Sequence, residues 1–140
     1  MFRASRVVKL CEIVLTVLCF ALSSAPAYAA SLGKLEVRSK LYEPFEARIA
    51  LRGVKAGELD TMRVSLADDA AFERLGLVRS MVLLTLRFKI VASAAGHGYV
   101  MISSHERVRE PTLSFIVEAS SVGVSGTTMQ RRYDALLDLN

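Results

Sequence analysis

Apolar and charged residues alternate in short runs through most of the chain, and this alternation restricts its fold more than any other feature. Successive side chains of a β-strand point to opposite faces, so a period of two predicts strands with one buried face. Glycine and proline separate the runs, as expected for turns. The predicted strands lie at 35–40, 45–52, 62–66, 84–90, 99–104, 113–119 and 130–137. We therefore predict an all-β protein, an antiparallel β-sandwich of about seven strands.

One short helix is predicted between the third and fourth strands. Asp68 is a suitable N-cap residue. Phe72 and Leu75 are spaced three apart, so both are expected to face the core. Gly76 follows as a residue that can adopt a positive φ and end the helix. The serine- and glycine-rich segment 120–128 is predicted to be a long hairpin loop.

The N-terminus has the three parts of a secretory signal peptide. Basic residues precede a thirteen-residue apolar run at 10–22, and Ala27 and Ala29 stand at the two small-residue positions of a cleavage site. We predict cleavage between Ala29 and Ala30, which gives a signal peptide at 1–29 and one domain at 30–140.

An uncleaved membrane anchor is the alternative interpretation of this segment. A spanning helix needs about 20 apolar residues, and the run at 10–22 is too short for that. Pro26 would also interrupt a helix at the point where an anchor would continue. The sequence therefore favours export to the periplasm, with no stable membrane anchor after cleavage.

Both cysteines, Cys11 and Cys19, lie within the predicted signal peptide, so the mature domain has no disulfide and no thiolate. It keeps 15 basic and 13 acidic residues, a net charge of +2. The charges alternate in sign along the chain, so they are not expected to gather into one patch. For that reason, nucleic acid is not an expected partner.

No catalytic, cofactor-binding or metal-binding site is predicted. His97 and His105 could approach each other on adjacent strands of a hairpin, but no third ligand is spaced to complete a metal site. The serines lack the context of a nucleophile elbow, and no glycine-rich phosphate loop is present. The sequence therefore predicts that the protein is not an enzyme.

The segment 103–111 is the most charged part of the chain and has two interpretations. As a recognition loop, Arg107, Arg109 and Glu110 would form a candidate interaction surface, with Tyr99 as an aromatic contact for a glycan. As a structural element, the segment would be a bend between two strands, because Pro111 favours an extended residue before it. The structural interpretation is favoured.

Four spaced motifs resemble those of one known family. The opening at 32–51 reads LGKLEVRSKLYEPFEARIAL, and it is followed by LLTLRF at 83–88, REPTLSFIVE at 109–118 and RYDALLD at 132–138. Together they resemble the periplasmic N-terminal domain of FimV/HubP-type polar landmark proteins. Unlike typical members, this chain has no tryptophan after the third motif. Longer members continue into a LysM module, a transmembrane helix and cytoplasmic repeats, whose functions are not carried over to this chain.

The resemblance implies a non-enzymatic periplasmic interaction module that supports type IV pilus assembly, motility or polar organisation. Its partners would be envelope proteins, bound through a sandwich face or by strand addition at an edge. The last strand is the candidate edge. The alternative is a peptidoglycan- or glycan-binding module that uses Arg107, Arg109 and Tyr99. No cofactor is implied.

Overall fold

The computed structural model describes residues 6–9, 30–94, 97–122 and 128–139. Most of the predicted signal peptide, including Ala29 on one side of the predicted cleavage site, lies outside the described residues. Ala30, on the other side, directly precedes the first strand of the domain. Cleavage there stays a prediction.

Seven antiparallel strands form two sheets, which confirms the predicted all-β sandwich. The strands are β1 (Ser31–Val37), β2 (Pro44–Arg52), β3 (Met62–Leu66), β4 (Arg87–Ala92), β5 (Gly98–Arg107), β6 (Thr112–Ser121) and β7 (Thr128–Leu136). The first sheet has the order β1-β2-β5-β4, and the second has the order β3-β6-β7. Because β2 pairs with β5 and not with β3, distant parts of the sequence meet in the first sheet.

The core lies between the two sheets and has aromatic rings at its centre. Phe115 of β6 has no exposed surface, and its ring meets that of Phe45 edge-on at a centroid distance of 6.3 Å. On its other side, the Tyr133 ring lies 6.1 Å away. These rings link β2, β6 and β7, so they hold the two sheets together through both dispersion and burial.

The two sheets also meet through polar contacts where β1 lies beside β7. The Tyr133 hydroxyl donates to the Gly33 carbonyl at 2.8 Å, and the Arg131 guanidinium donates to the Leu32 carbonyl at 2.6 Å. Farther along, the Leu41 amide donates to the Asp138 carbonyl at 3.0 Å. This side of the sandwich is therefore closed by hydrogen bonds, two of which use carbonyls of β1.

Within the described part of residues 30–139, three short helices lie outside the sheets, where the sequence interpretation predicted one: α1 (Ala56–Leu59), α2 (Asp69–Arg74) and α3 (Met81–Leu84). The predicted helix is α2. The Asp68 carboxylate accepts a hydrogen bond from the Ala71 amide at 2.9 Å, and Gly76 has a φ of 63°, both as expected. Helix α2 packs against β6, where Ile116 is buried on the outer side of the sheet. This explains why β6 is apolar on both faces.

Several details of the sequence interpretation are wrong. The first strand spans Ser31–Val37, and not 35–40 as predicted. Leu75 is 51% exposed, because the chain leaves the helix there and only Phe72 enters the core. The fourth strand begins at Arg87, since the continuous apolar run before it forms α3 and buries Leu83. The predicted loop at 120–128 is shorter, because β6 extends to 121 and β7 begins at 128; residues 123–127 lie outside the described residues.

Ser104 is a buried polar residue at the irregularity between β2 and β5, and its hydroxyl makes two hydrogen bonds. It accepts from the Phe45 amide at 2.8 Å and donates to the Glu106 carbonyl at 2.8 Å. Replacing Ser104 by alanine leaves both backbone groups without this partner, so we expect the free energy of unfolding to fall by about 1 to 3 kcal/mol. Urea denaturation measures this loss, and Ser103→Ala on the outer face is the matched control. Equal losses in the two variants would show that the two hydrogen bonds of the Ser104 hydroxyl do not stabilise the fold.

Candidate functional site

The predicted interaction residues fall at two separate places. Arg107, Arg109 and Glu110 line an open depression of about 540 Å³ together with Val82 and Glu106. We call it the end depression. Tyr99 lies near the other end of β5, eight residues from Arg107, which is about 26 Å along a strand. The structure thus brings three of the four residues together and separates the tyrosine from them. A single sugar ring cannot contact both places.

The depression holds charges of both signs. Glu106, Arg107, Arg109 and Glu110 are exposed, and their side chains make no ion pair or hydrogen bond within the described part of the chain. The segment after β5 also bends as the structural interpretation predicts, because the Val108 amide donates to the Glu43 carbonyl at 3.0 Å and Val108 is buried. The two interpretations of this segment are therefore compatible.

The two histidines do not lie on adjacent strands, contrary to the interpretation from the sequence. His97 directly precedes β5 and His105 lies near its end, so both belong to one extended segment. Eight residues of extended chain separate them by about 26 Å, too far for a shared metal ion. Among the described residues, no group of three potential metal ligands is found.

The outer face of the first sheet carries a cluster that the sequence did not reveal. Cα partners form three rows across the strands: Glu36–Arg48–Met101–Lys89, Ala50–Tyr99–Val91 and Glu46–Ser103–Arg87. Arg52 extends the same face at the end of β2. We call these residues the basic face, because four cations (Arg48, Arg52, Arg87 and Lys89) share it with two carboxylates.

Arg48 and Tyr99 form the centre of the basic face. The guanidinium carbon of Arg48 lies 4.7 Å from the centroid of the Tyr99 ring, a cation–π contact. The Arg48 Nε is buried and has no hydrogen-bond partner. The stacked ring restricts the guanidinium to one orientation while leaving the positive charge unpaired.

The outer face of the second sheet differs because its polar groups pair with one another. Gln130 donates to the Glu118 carboxylate at 2.6 Å, and Ser114 donates to the Asp134 carboxylate at 2.5 Å. Arg132 forms an ion pair with Asp134 at 3.2 Å. The hydrogen bonds from Ser114 and then Arg132 lower the pKa of Asp134 below its usual value. Much of the charge on this face is thus already compensated.

The expectation that the charges do not gather on one surface is wrong for the basic face. Alternation in the sequence correctly identifies the outward residues of β2 and β4, but it does not show which strands are neighbours. Cations from β2 and β4 come together only because β5 lies between these two strands. The signal in the sequence was the excess of arginine and lysine over acidic residues at outward positions in 46–52 and 87–91.

The predicted edge strand, β7, does lie at the edge of its sheet. Its free side faces β1, however, and the hydrogen bonds of Arg131 and Tyr133 occupy the middle of that side. An added strand would have to displace both contacts. Strand addition at β7 is therefore disfavoured, because it would break the contact between β7 and β1.

Tyr133 provides a test of this contact between β1 and β7. Burial raises the pKa of Tyr133 to about 12, although the neighbouring Arg131 acts in the opposite direction. In the folded protein, the pKa of Tyr133 lies above its usual value of 10.0. The stabilisation of the fold by the neutral phenol is therefore complete below pH 10, and it declines as the pH rises through about 12. We expect Tyr133→Phe to reduce this decline and to remove the latest step of a tyrosinate absorbance titration. Tyr99→Phe is the control, and it should leave that step in place.

Among the helices in the part of the chain that the structure describes, none is long and apolar enough to cross a membrane.

Comparison with known proteins agrees with this architecture. The family model described as the FimV N-terminal domain, an Ig-like domain, matches residues 30–140. The chain belongs to the FimV N-terminal domain family. Two similar curated proteins are both named motility hub protein FimV and come from Pseudomonas aeruginosa strains PAO1 and UCBPP-PA14. Each is 31% identical over 117 residues, which cover 84% of this chain but only 12% of the relative. No solved structure gave a significant match.

Proposed function

We propose that this FimV N-terminal domain is a non-enzymatic periplasmic interaction module that supports type IV pilus assembly, motility or polar organisation by binding envelope proteins. The observation that carries this proposal is the family match over 30–140, together with relatives named as motility hub proteins. Binding is a suitable role for a sandwich with unpaired charged groups on an outer sheet face and in an end depression.

A deletion of the gene in its own bacterium tests the role in motility. We expect the deletion strain to lose surface motility or assembled pili, and the wild-type gene supplied in trans to restore them. A variant with Arg107→Ala and Arg109→Ala tests the end depression in the same strain. If the deletion strain moves and assembles pili normally, the proposal is wrong.

Export is a separate part of the proposal and needs its own experiment. Mass spectrometry of the protein from a periplasmic fraction should find an N-terminus at Ala30. Replacing Ala29 by arginine removes the small residue required before the cleaved bond, so the unprocessed chain should accumulate with the membranes. A wild-type protein that keeps residues 1–29 and stays in the cytoplasm would contradict periplasmic function.

Sedimentation with purified peptidoglycan distinguishes the alternative glycan-binding function. Tyr99 lies about 26 Å along β5 from Arg107, so one sugar ring would not contact both residues. We therefore expect the protein to stay in the supernatant. Specific sedimentation that is lost in the Arg107→Ala, Arg109→Ala variant would favour cell-wall binding at the end depression.

A further inference from the structure

We infer that the basic face is the docking surface for an acidic segment of a partner protein. The inference rests on the proposed function, because it names the surface and the partner chemistry of an interaction module. Its occupant would present several carboxylates to Arg48, Arg87 and Lys89. Three features of the basic face support it: its positive charge, its lack of ion pairs and the geometry of its apolar residues.

Within the described part of the chain, the cations of the basic face form no ion pair, and the one contact of their charged groups is the stacking of Arg48 on Tyr99. Arg52, Arg87 and Lys89 are exposed, and none of the four cations makes a hydrogen bond or an ion pair. Even Glu36, the Cα partner of Arg48, forms no ion pair with it. These groups can therefore pair with a partner's carboxylates without breaking an ion pair or a hydrogen bond of the domain.

The spacing of the cations suits an acidic chain that crosses the sheet. Arg48 and Lys89 belong to one row on either side of Met101, two strands apart, which is about 10 Å. Arg87 and Lys89 are two residues apart on β4, or about 7 Å. Arg48 is already oriented by Tyr99, so less side-chain entropy is lost when it binds a carboxylate.

The apolar residues of the basic face favour a protein partner over a lipid surface. Tyr99, Met101 and Val91 are half-buried among the strands. Peripheral binding to a membrane relies on apolar side chains that insert into the lipid, and these three lie within the sheet surface. Tyrosine, methionine and arginine are enriched at protein interfaces. The opposite face, with its paired charges, lacks this combination.

Binding to fluorescent poly-L-glutamate, a defined carboxylate polypeptide, tests the inference with the purified protein. We expect binding that weakens as salt increases. Arg87→Glu with Lys89→Glu should weaken it by about tenfold, since two attractions become repulsions. Arg48→Gln keeps the size of the side chain and removes its charge, so it should weaken binding to a smaller extent. Both variants must show wild-type circular dichroism and urea midpoints.

The control for net charge is Arg63→Glu with Arg132→Glu, which causes the same change in net charge on the outer face of the second sheet. Because Arg132 forms an ion pair with Asp134, this variant must also show a wild-type urea midpoint. It should retain affinity within about twofold if local contacts decide binding. Backbone NMR shifts caused by poly-L-glutamate should lie in β2, β4 and β5. Equal losses in the two charge-reversal variants would mean that net charge alone decides binding, and would overturn the inference.

Two further outcomes would also overturn it. One is no binding to poly-L-glutamate. The other is that the protein binds phosphatidylglycerol vesicles and does not bind poly-L-glutamate. If the Arg87→Glu, Lys89→Glu variant also loses its binding to the vesicles, the face is a lipid-binding surface. Neither result depends on the motility phenotype of the deletion strain. Failure of this inference and failure of the proposed function can therefore be distinguished.

Discussion

Replacing Phe115 by alanine should lower the free energy of unfolding by about 3 to 5 kcal/mol, the largest loss expected from a single truncation of a buried aromatic residue. Phe115 has no exposed surface and contacts both Phe45 and Tyr133. The alanine leaves a cavity between the sheets, and the strands around it cannot close the gap without losing their register. Urea denaturation followed by circular dichroism measures the change.

Phe88→Ala is the matched control, because Phe88 lies in edge strand β4 and is only half-buried. The cavity term is smaller where neighbouring atoms can relax towards solvent, so Phe88→Ala should cost clearly less. Domains of this size have total stabilities of about 5 to 15 kcal/mol, so Phe115→Ala is expected to leave little margin. Equal costs for the two variants would show that the ring cluster is not the centre of the core.

Gly33→Ala should also destabilise the domain, by about 1 to 3 kcal/mol, because it overpacks the contact between β1 and β2. A Cβ added at Gly33 would lie 2.8 Å from the Ala50 carbonyl oxygen, which is part of the backbone and cannot rotate away. The strand would have to shift at its irregularity between Leu32 and Leu35. Since the Gly33 carbonyl accepts the Tyr133 hydroxyl, the same shift should lengthen that hydrogen bond.

Gly57→Ala is the control for this prediction, since a Cβ at Gly57 meets no atom within 4 Å. Alanine there restricts the unfolded chain, so we expect a gain of about 0.4 to 1 kcal/mol. Thermal unfolding of the two variants should therefore move in opposite directions. A Gly33→Ala protein as stable as the wild type would show that β1 does not approach β2 as closely as described.

The positions of the strands were largely predictable because most of them have a one-sided burial pattern, β2 most clearly. All seven predicted strands occur, and β3 has the predicted bounds, Met62–Leu66. The prediction was wrong at 84–86, where apolar residues are continuous and fit a helical turn as well as a strand. It was also wrong at Leu75, because the spacing of two apolar residues does not show where a short helix ends.

The candidate binding surfaces were less predictable than the strands. The sequence correctly predicted that Arg107, Arg109 and Glu110 lie together, because they are close in the chain and follow a single bend. Tyr99 was grouped with them by chemistry alone, and the extended conformation of β5 separates it from them. The partner that Tyr99 does have, Arg48, is 51 positions away in the sequence, and pairing of β2 with β5 brings it close.

The sequence by itself determined the class of fold, the inward and outward residues of the alternating strands and the family, because these follow from local periodicity and from spaced motifs. Only the tertiary structure decided which strands are neighbours. That order gathers Arg48, Arg87 and Lys89 on one face, and it places the candidate edge of β7 against β1. The physical reason is that alternation constrains the direction of each side chain, whereas strand pairing depends on contacts between residues far apart in the chain.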